Sequence, residues 1–488
     1  MTNAIFPPSS YRGFNPFFGK RLLDMENTSQ NRGAQTPALP KSDVSAGVGI
    51  AGLLGLVFWL LFCRTYPLTA EFFDLPGPRV RLSGQHAALA ALLFSAVPMA
   101  VWSLLVDKVH LRPSTGIDWE RVRPNGEIMD VSVVKIAGLW ATWVIIAAFY
   151  CLARWYWNGQ YLFAIDVLKY AIIPMVVLSV PYVMWLDRRM VQPKDHAWHF
   201  GAMLIGREAW DADEVKKHWR AWAIKGFFGA FMISILPPGW AELVNAQPAE
   251  LINDPIRFGM ILVTALFVID VQIGTVGYLF TLRPLDAHIR SGNPFLGGWL
   301  AALICYPPFV WGIIGNGEVL SYEHNVAGWG EWFAGNTALL WAWAAWLVFL
   351  TGIYAWATVA FGIRFSNLTY RGVLTNGPYR FTRHPAYLSK NLFWWCSVMP
   401  FLVTNGSPSD AIRNTFFLLC VNAIYFWRAK TEEKHLLAED QKYRDYHAWM
   451  SEHGVITSRL TKITRAIKRR RGPNAMRSSE EFSQEPAE

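Results

Sequence analysis

Two short polar motifs flank an apolar hairpin near the C-terminus: Gly377-Pro378-Tyr379-Arg380-Phe381-Thr382-Arg383-His384-Pro385-Ala386-Tyr387 and Arg428-Ala429-Lys430-Thr431-Glu432-Glu433. Side chains of these types can move a proton (His384, Glu432, Glu433) and hold a charged ligand, the Arg383 guanidinium against an anion and the carboxylates against an amine. The stretch between them, Leu388 to Trp427, is long enough for two membrane-crossing helices broken at Asn405-Gly406-Ser407-Pro408. Such a hairpin leaves and returns to the same membrane face, so both motifs are expected at one interface. Taken singly, Arg-His-Pro reads as a polar loop with a helix cap, and the paired glutamates read as an interfacial helix face; their combination across a hairpin points to a site.

The elements that must position these residues are membrane helices. Apolar residues make up 53% of the chain and charged ones only 17%, with a positive mean hydropathy of +0.20, far from an ordinary soluble domain. Apolar segments of spanning length are predicted near Val44 to Cys63, His86 to Leu105, Val131 to Leu152, Ala164 to Leu186, Trp222 to Val244, Phe258 to Leu282 and Pro294 to Ile314. Three more are predicted at Thr337 to Phe361, Leu388 to Val403 and Ala411 to Trp427, about ten in all. The expected fold is an all-α polytopic membrane bundle. Its expected parts are a polar segment 1–43, an N-terminal bundle 44–335, a C-terminal membrane domain 336–450, and a basic amphipathic helix with a polar tail at 451–488.

No short apolar stretch with a cleavage site opens the chain, so the first membrane helix is expected to direct insertion. Loops expected inside carry Lys108, Arg112, Arg188, Arg189, Lys194, Lys216, Lys217, Arg283, Arg290, Arg364, Arg371, Arg380 and Arg383, whereas those expected outside keep only a few, such as Arg64, Arg79, Arg81, Arg154 and Arg257, and Gly315 to Asn336 has Glu but no Lys or Arg. This bias places both termini and both motifs in the cytoplasm. Five cysteines lie in apolar stretches without close pairing, which argues against disulfides and a thiolate metal site. Ile456 to Arg471 alternates apolar and basic faces as a helix lying on an anionic leaflet would, so nucleic acid is not an expected partner. Nothing in the sequence specifies an oligomeric state.

Gly377-Pro378-Tyr379-Arg380, Arg383-His384-Pro385-x-Tyr387, an apolar hairpin, Glu432-Glu433-x-x-Leu436 and Tyr443-x-x-Tyr446, in that order, resemble the isoprenylcysteine carboxyl methyltransferase and phospholipid methyltransferase superfamily. The resemblance covers the last quarter of the chain. Ser389 and Asp440 stand where that superfamily often has glycine. It implies a membrane enzyme that uses S-adenosylmethionine on a lipid or isoprenoid-type acceptor, without a metal. The cofactor would be held by Gly377, Tyr379, Arg383, His384, Pro385, Tyr387, Glu432 and Glu433, with Arg383, His384 and Glu433 nearest the chemistry. The residue types suit that cofactor, whose amino and ribose groups call for carboxylates, whose carboxylate calls for a cation or a helix N-terminus, and whose adenine calls for aromatic walls such as Tyr379, Tyr387 and Trp394. An amine or hydroxyl acceptor would need a base, whereas a carboxylate would not.

Membrane sterol reductases share the Arg-His-Pro-x-Tyr type of C-terminal region and have about ten spans, so an NADPH-dependent reductase is the alternative reading. A non-enzymatic lipid transporter or scaffold is a third, although the sequence lacks the inverted repeats expected of a transporter. Elsewhere, Asp270 falls mid-span, where an ionisable group often marks a substrate contact or takes a buried partner such as Lys135 or Lys225. His196 and His199 lie one helical turn apart on the polar loop Asp187 to Arg220, where they could face a substrate; no third ligand joins them for a metal.

Overall fold

Long runs of Leu, Val, Ile, Ala and Phe without polar interruption close their backbone hydrogen bonds locally, and in this chain they do so as helices. The computed structural model describes residues 38–470 except 207–208, 248–250 and 316–317. Most of the expected polar segment, residues 1–37, and the tail from 471 lie outside the described residues.

Among the described residues, seven helical stretches are long and apolar enough to cross a membrane. They are built on α1 (Ala46–Phe72), α2 (Gln85–Leu105), α3 (Asn125–Leu152), α4 (Leu162–Asp187), α6 (Ala212–Ser234) continued by α7 (Leu236–Asn245), α8 (Pro255–Leu279) and α10 (Thr337–Phe361). The short α5 (His196–Ile205) joins α4 to α6, and α9 (Leu296–Leu303) lies between α8 and α10. Side-chain caps start several of them. Asp195, Asp211, Asp254, Asn336 and Ser407 each accept from an amide in the first turn of the helix that follows.

The predicted span Pro294 to Ile314 is corrected by the structure. Its helix, α9, has 8 residues and rises only about 12 Å, too little to cross about 30 Å of hydrocarbon. Pro307 and Pro308 supply no amide donors, so helix does not continue. The chain nevertheless runs the length of α10: Ser291 pairs with Tyr370 just beyond the C-terminal end of α10, and Trp329 packs with Leu340 at its start. Part of the irregular stretch between them is covered by protein, with Cys305, Ile314, Leu320 and Tyr322 packed on the helix carrying Leu418, Val421 and Tyr425, while Phe309, Trp311 and Val319 are exposed. Irregular backbone at membrane depth is tolerated in such a setting.

The last two predicted spans form a hairpin of unequal arms, α11 (Pro385–Val398) and α12 (Pro408–Glu439). Neither is among the seven: α11 has 14 residues, and Arg413, Asn414 and Asn422 dilute the apolar run of α12. Those amides are in use. Asn414 donates to the His324 carbonyl at 2.8 Å, and Asn422 accepts from Trp395 Nε1 at 2.8 Å. Two shorter helices follow, α13 (Gln441–His453) and α14 (Thr457–Arg470); Leu460 and Ile463 of α14 are exposed, as a surface-lying helix requires.

Pro40–Glu488 forms one unit, and α8 packs along α10 across the predicted boundary at residue 336. A core of α1, α2, α7, α8 and α10 residues, including Met99, Trp240, Ile273 and Ala360, supports it. Close helix approach depends on small residues. A Cβ on Gly49 of α1 would fall 2.0 Å from the Val359 carbonyl oxygen of α10.

Candidate active site

The Arg-His-Pro motif takes its shape from local backbone rules. Gly377 adopts φ +54°, and a Cβ there would sit 3.1 Å from Trp356 Nε1, so a side chain would be strained by the backbone and crowded by the indole. It opens a tight turn to Arg380 that buries Tyr379 against Phe361. His384 is the N-cap of α11 and Pro385 its first residue, the position where a fixed φ and a missing amide cost least.

The second motif meets the first. Glu433 is 4% exposed. Its Oε1 lies 2.9 Å from His384 Nε2 and 3.0 Å from Arg383 Nε; its Oε2 lies 2.7 Å from Lys430 Nζ and 3.9 Å from His447 Nε2. Burial pushes this carboxyl up, but hydrogen bonds from His384 and His447 and the charges of His384 and Arg383 outweigh it and hold the group well below the usual carboxylate range. Glu432 faces elsewhere, accepting from Tyr387 Oη at 2.5 Å and from Arg428 Nε at 3.2 Å. Tyr387 stacks on the His384 ring at 5.7 Å.

These groups border an open-mouthed cavity of ≈ 1320 Å³, counting the solvent space at its mouth. Of the residues predicted for a site, Tyr379, Arg383, His384, Pro385, Tyr387 and Glu432 line it. Glu433 stands behind Arg383 and His384, and Gly377 shapes the turn without lining the cavity. Trp394 lies beyond the wall, 5.2 Å from the Tyr425 ring.

Three other predicted residues do not reach the cavity. Asp270 is buried behind its floor and accepts from Thr358, which lines it. The predicted partners of Asp270 are engaged elsewhere: Lys135 Nζ is 2.5 Å from Asp187 and 3.3 Å from Asp195, and Lys225 sits over the Trp222 ring. His196 and His199 are held by α3, α5 and α6 packing. His196 Nδ1 is 3.2 Å from His218 Nδ1, and His199 Nδ1 accepts from the Asp211 amide at 3.1 Å.

Several cavity residues were not among those predicted for the site. Arg428, which opens the second motif, is 3% exposed; it donates to Asn367 Oδ1 at 2.6 Å and lies over the Tyr306 and Tyr387 rings. The four-residue step from Arg428 to Glu432 was the available signal. Lys390, Arg364, Arg371 and His435 also line the cavity. His435 bonds Ser291 Oγ at 2.9 Å, and burial pulls its pKa down to about 4.

Fold and cavity together define an integral membrane protein with a polar, aromatic-walled chamber at the end of its C-terminal hairpin. A family described as a protein of unknown function (DUF1295) has a model that matches residues 332–450. No curated protein and no solved structure matches the chain.

Proposed function

We propose that this protein is a membrane methyltransferase that takes a methyl group from S-adenosylmethionine and delivers it to a lipid or isoprenoid-type acceptor, with the cavity opening to the cytoplasm. The observation that carries the reading is the contact of the two polar motifs across the α11–α12 hairpin, through Glu433 to Arg383 and His384, at the edge of one cavity. The cofactor supplies an electrophilic methyl carbon, so the protein's task is to orient the acceptor and keep water out.

The residues present fit that cofactor. Arg383 lines the cavity, and its guanidinium suits a carboxylate. Glu432 offers a carboxylate at the cavity wall, with Tyr379 and Tyr387 beside it. Glu433 acts on these groups from behind, fixing the imidazole of His384 through Nε2 and leaving Nδ1 for proton transfer where the acceptor needs a base.

One observation favours a second reading, an NADPH-dependent reductase. Arg364, Arg371, Arg383, Lys390 and Arg428 line the cavity with Glu432 as the carboxylate among them, a balance that attracts phosphate. Calorimetric titration of the detergent-purified protein with S-adenosylmethionine, S-adenosylhomocysteine and NADPH separates the two. Binding of the first two supports methyl transfer, NADPH alone supports reduction, and binding of none removes both. Glu433→Ala and His384→Ala are expected to abolish cofactor binding while leaving expression intact; retained affinity in both counts against the assignment.

A further inference from the structure

The cations of the cavity wall are not equivalent. Arg364 bonds Asp286 at 2.7 Å, Arg371 bonds the Gly277 and Phe365 carbonyls at 2.8 and 2.9 Å, Arg383 pairs with Glu433, and Arg428 bonds Glu432 and Asn367. Among the described residues of the wall, Lys390 is the cation without an oxygen partner. Its Nζ lies 5.1 Å from the Trp394 ring centre, 5.2 Å from Tyr425 and 5.8 Å from Tyr354. Three ring faces attract the charge but leave three N–H donors unbonded. Asp270, whose field reaches Lys390, is already engaged by Thr358 and Tyr354.

Lys390 also sits apart from the motif residues. It follows the N-cap His384 by six positions, about 9 Å further along α11, on the face that carries Tyr387 and Trp394. The cavity wall nearby includes Ala357, Phe361 and Tyr354, surfaces suited to a hydrocarbon rather than to a nucleoside.

We infer that Lys390 is the specificity-determining residue for the acceptor, and that the acceptor presents an anionic oxygen, of a carboxylate or a phosphate ester, to its ammonium. This deepens the methyltransferase reading and rests on it. A neutral isoprenoid or sterol-like acceptor leaves the three donors unpaired in an apolar wall, and an amine adds a like charge; each outcome is disfavoured by the same desolvation argument. The aromatic cage holds the side chain extended before binding, which lowers the ordering cost of ligand capture.

The test uses four single-chain probes on the full-length protein in nonionic detergent: octanoate, octyl phosphate, octanol and octylammonium, titrated by calorimetry. At least one anionic probe is expected to bind about 10-fold or more tightly than octanol, the effect of a hydrogen bond to a charged group. Which of the two anions wins identifies carboxylate or phosphate. Lys390→Met is expected to remove the preference, and Lys390→Arg to retain it within about 3-fold, both with unchanged S-adenosylmethionine affinity. Equal binding of octanol and both anions by the wild-type protein overturns the inference without any variant, as does an undiminished preference in Lys390→Met. Loss of S-adenosylmethionine binding in the wild type sinks the methyltransferase reading instead, while the octyl series still reports on Lys390.

Discussion

A single carboxylate organises the chemistry of the C-terminal motifs. Glu433 gathers Arg383 and His384 from the start of α11, Lys430 from its own helix and His447 from α13. Glu433 and Arg383 are the members buried from water, so removing the carboxylate strands the guanidinium, at a cost of up to about 3–5 kcal/mol. Glu433→Gln is therefore expected to lower thermal stability in detergent as well as cofactor affinity. Because the folded-state pKa of Glu433 is depressed, its contribution is present above the unfolded carboxylate value of about 4.3 and is lost as pH falls below it; the acid limb of the wild-type stability curve should flatten in Glu433→Gln. His435 acts at higher pH. Its pKa is pulled down from 6.5 to about 4, so between those values the unfolded chain takes up a proton that the folded one refuses. Its contribution falls by about 2 kcal/mol between pH 7 and pH 5, and His435→Gln should remove that part of the slope in an unfolding titration.

At the scale of elements, helix spacing decides what the cavity can be. The contact between α1 and α10 at Gly49 leaves no room for a methyl group, so Gly49→Ala should cost about 1–3 kcal/mol, read as a lower melting temperature. A Cβ on Gly352 of α10 would meet nothing within 4 Å, and Gly352→Ala should be neutral or stabilising by up to about 1 kcal/mol. The sequence made the meeting of the two motifs legible because Pro385, His384 and the paired glutamates carry local signals that depend on chemistry, and hairpin length sets the face to which they return. Lys390 was illegible as a wall residue, and Arg428 was legible only through its four-residue step to Glu432. A basic residue at the end of an apolar run looks the same whether it snorkels to water or is enclosed by Tyr306, Tyr387 and Asn367 arriving from elsewhere in the chain. Hydropathy likewise detected Pro294 to Ile314 as apolar, but apolarity does not report that Pro307 and Pro308 deny it a helix.

For the molecule as a whole, the loop charges turn orientation into a measurable quantity. Gln441 at the start of α13 and Ser409 in the first turn of α12 are exposed and lie at opposite ends of the 32-residue α12. In a cysteine-free background, Gln441→Cys should react with a membrane-impermeant maleimide only from the cytoplasmic side and Ser409→Cys only from the other. Labelling of both from one side would refute the proposed topology and the access route for a soluble cofactor.

The irregular stretch between Ser291 and Trp329 bears on biogenesis. The insertion machinery recognises apolar helices one at a time as they emerge, and this segment offers it α9, a helix of only 8 residues. Its place beside Tyr425 can be taken up only after α12 has been synthesised, and the pairing of Ser291 with Tyr370 closes only after α10. The chamber is therefore a late product of assembly, and a ribosome-arrested chain ending before α12 should be stably inserted yet bind no ligand.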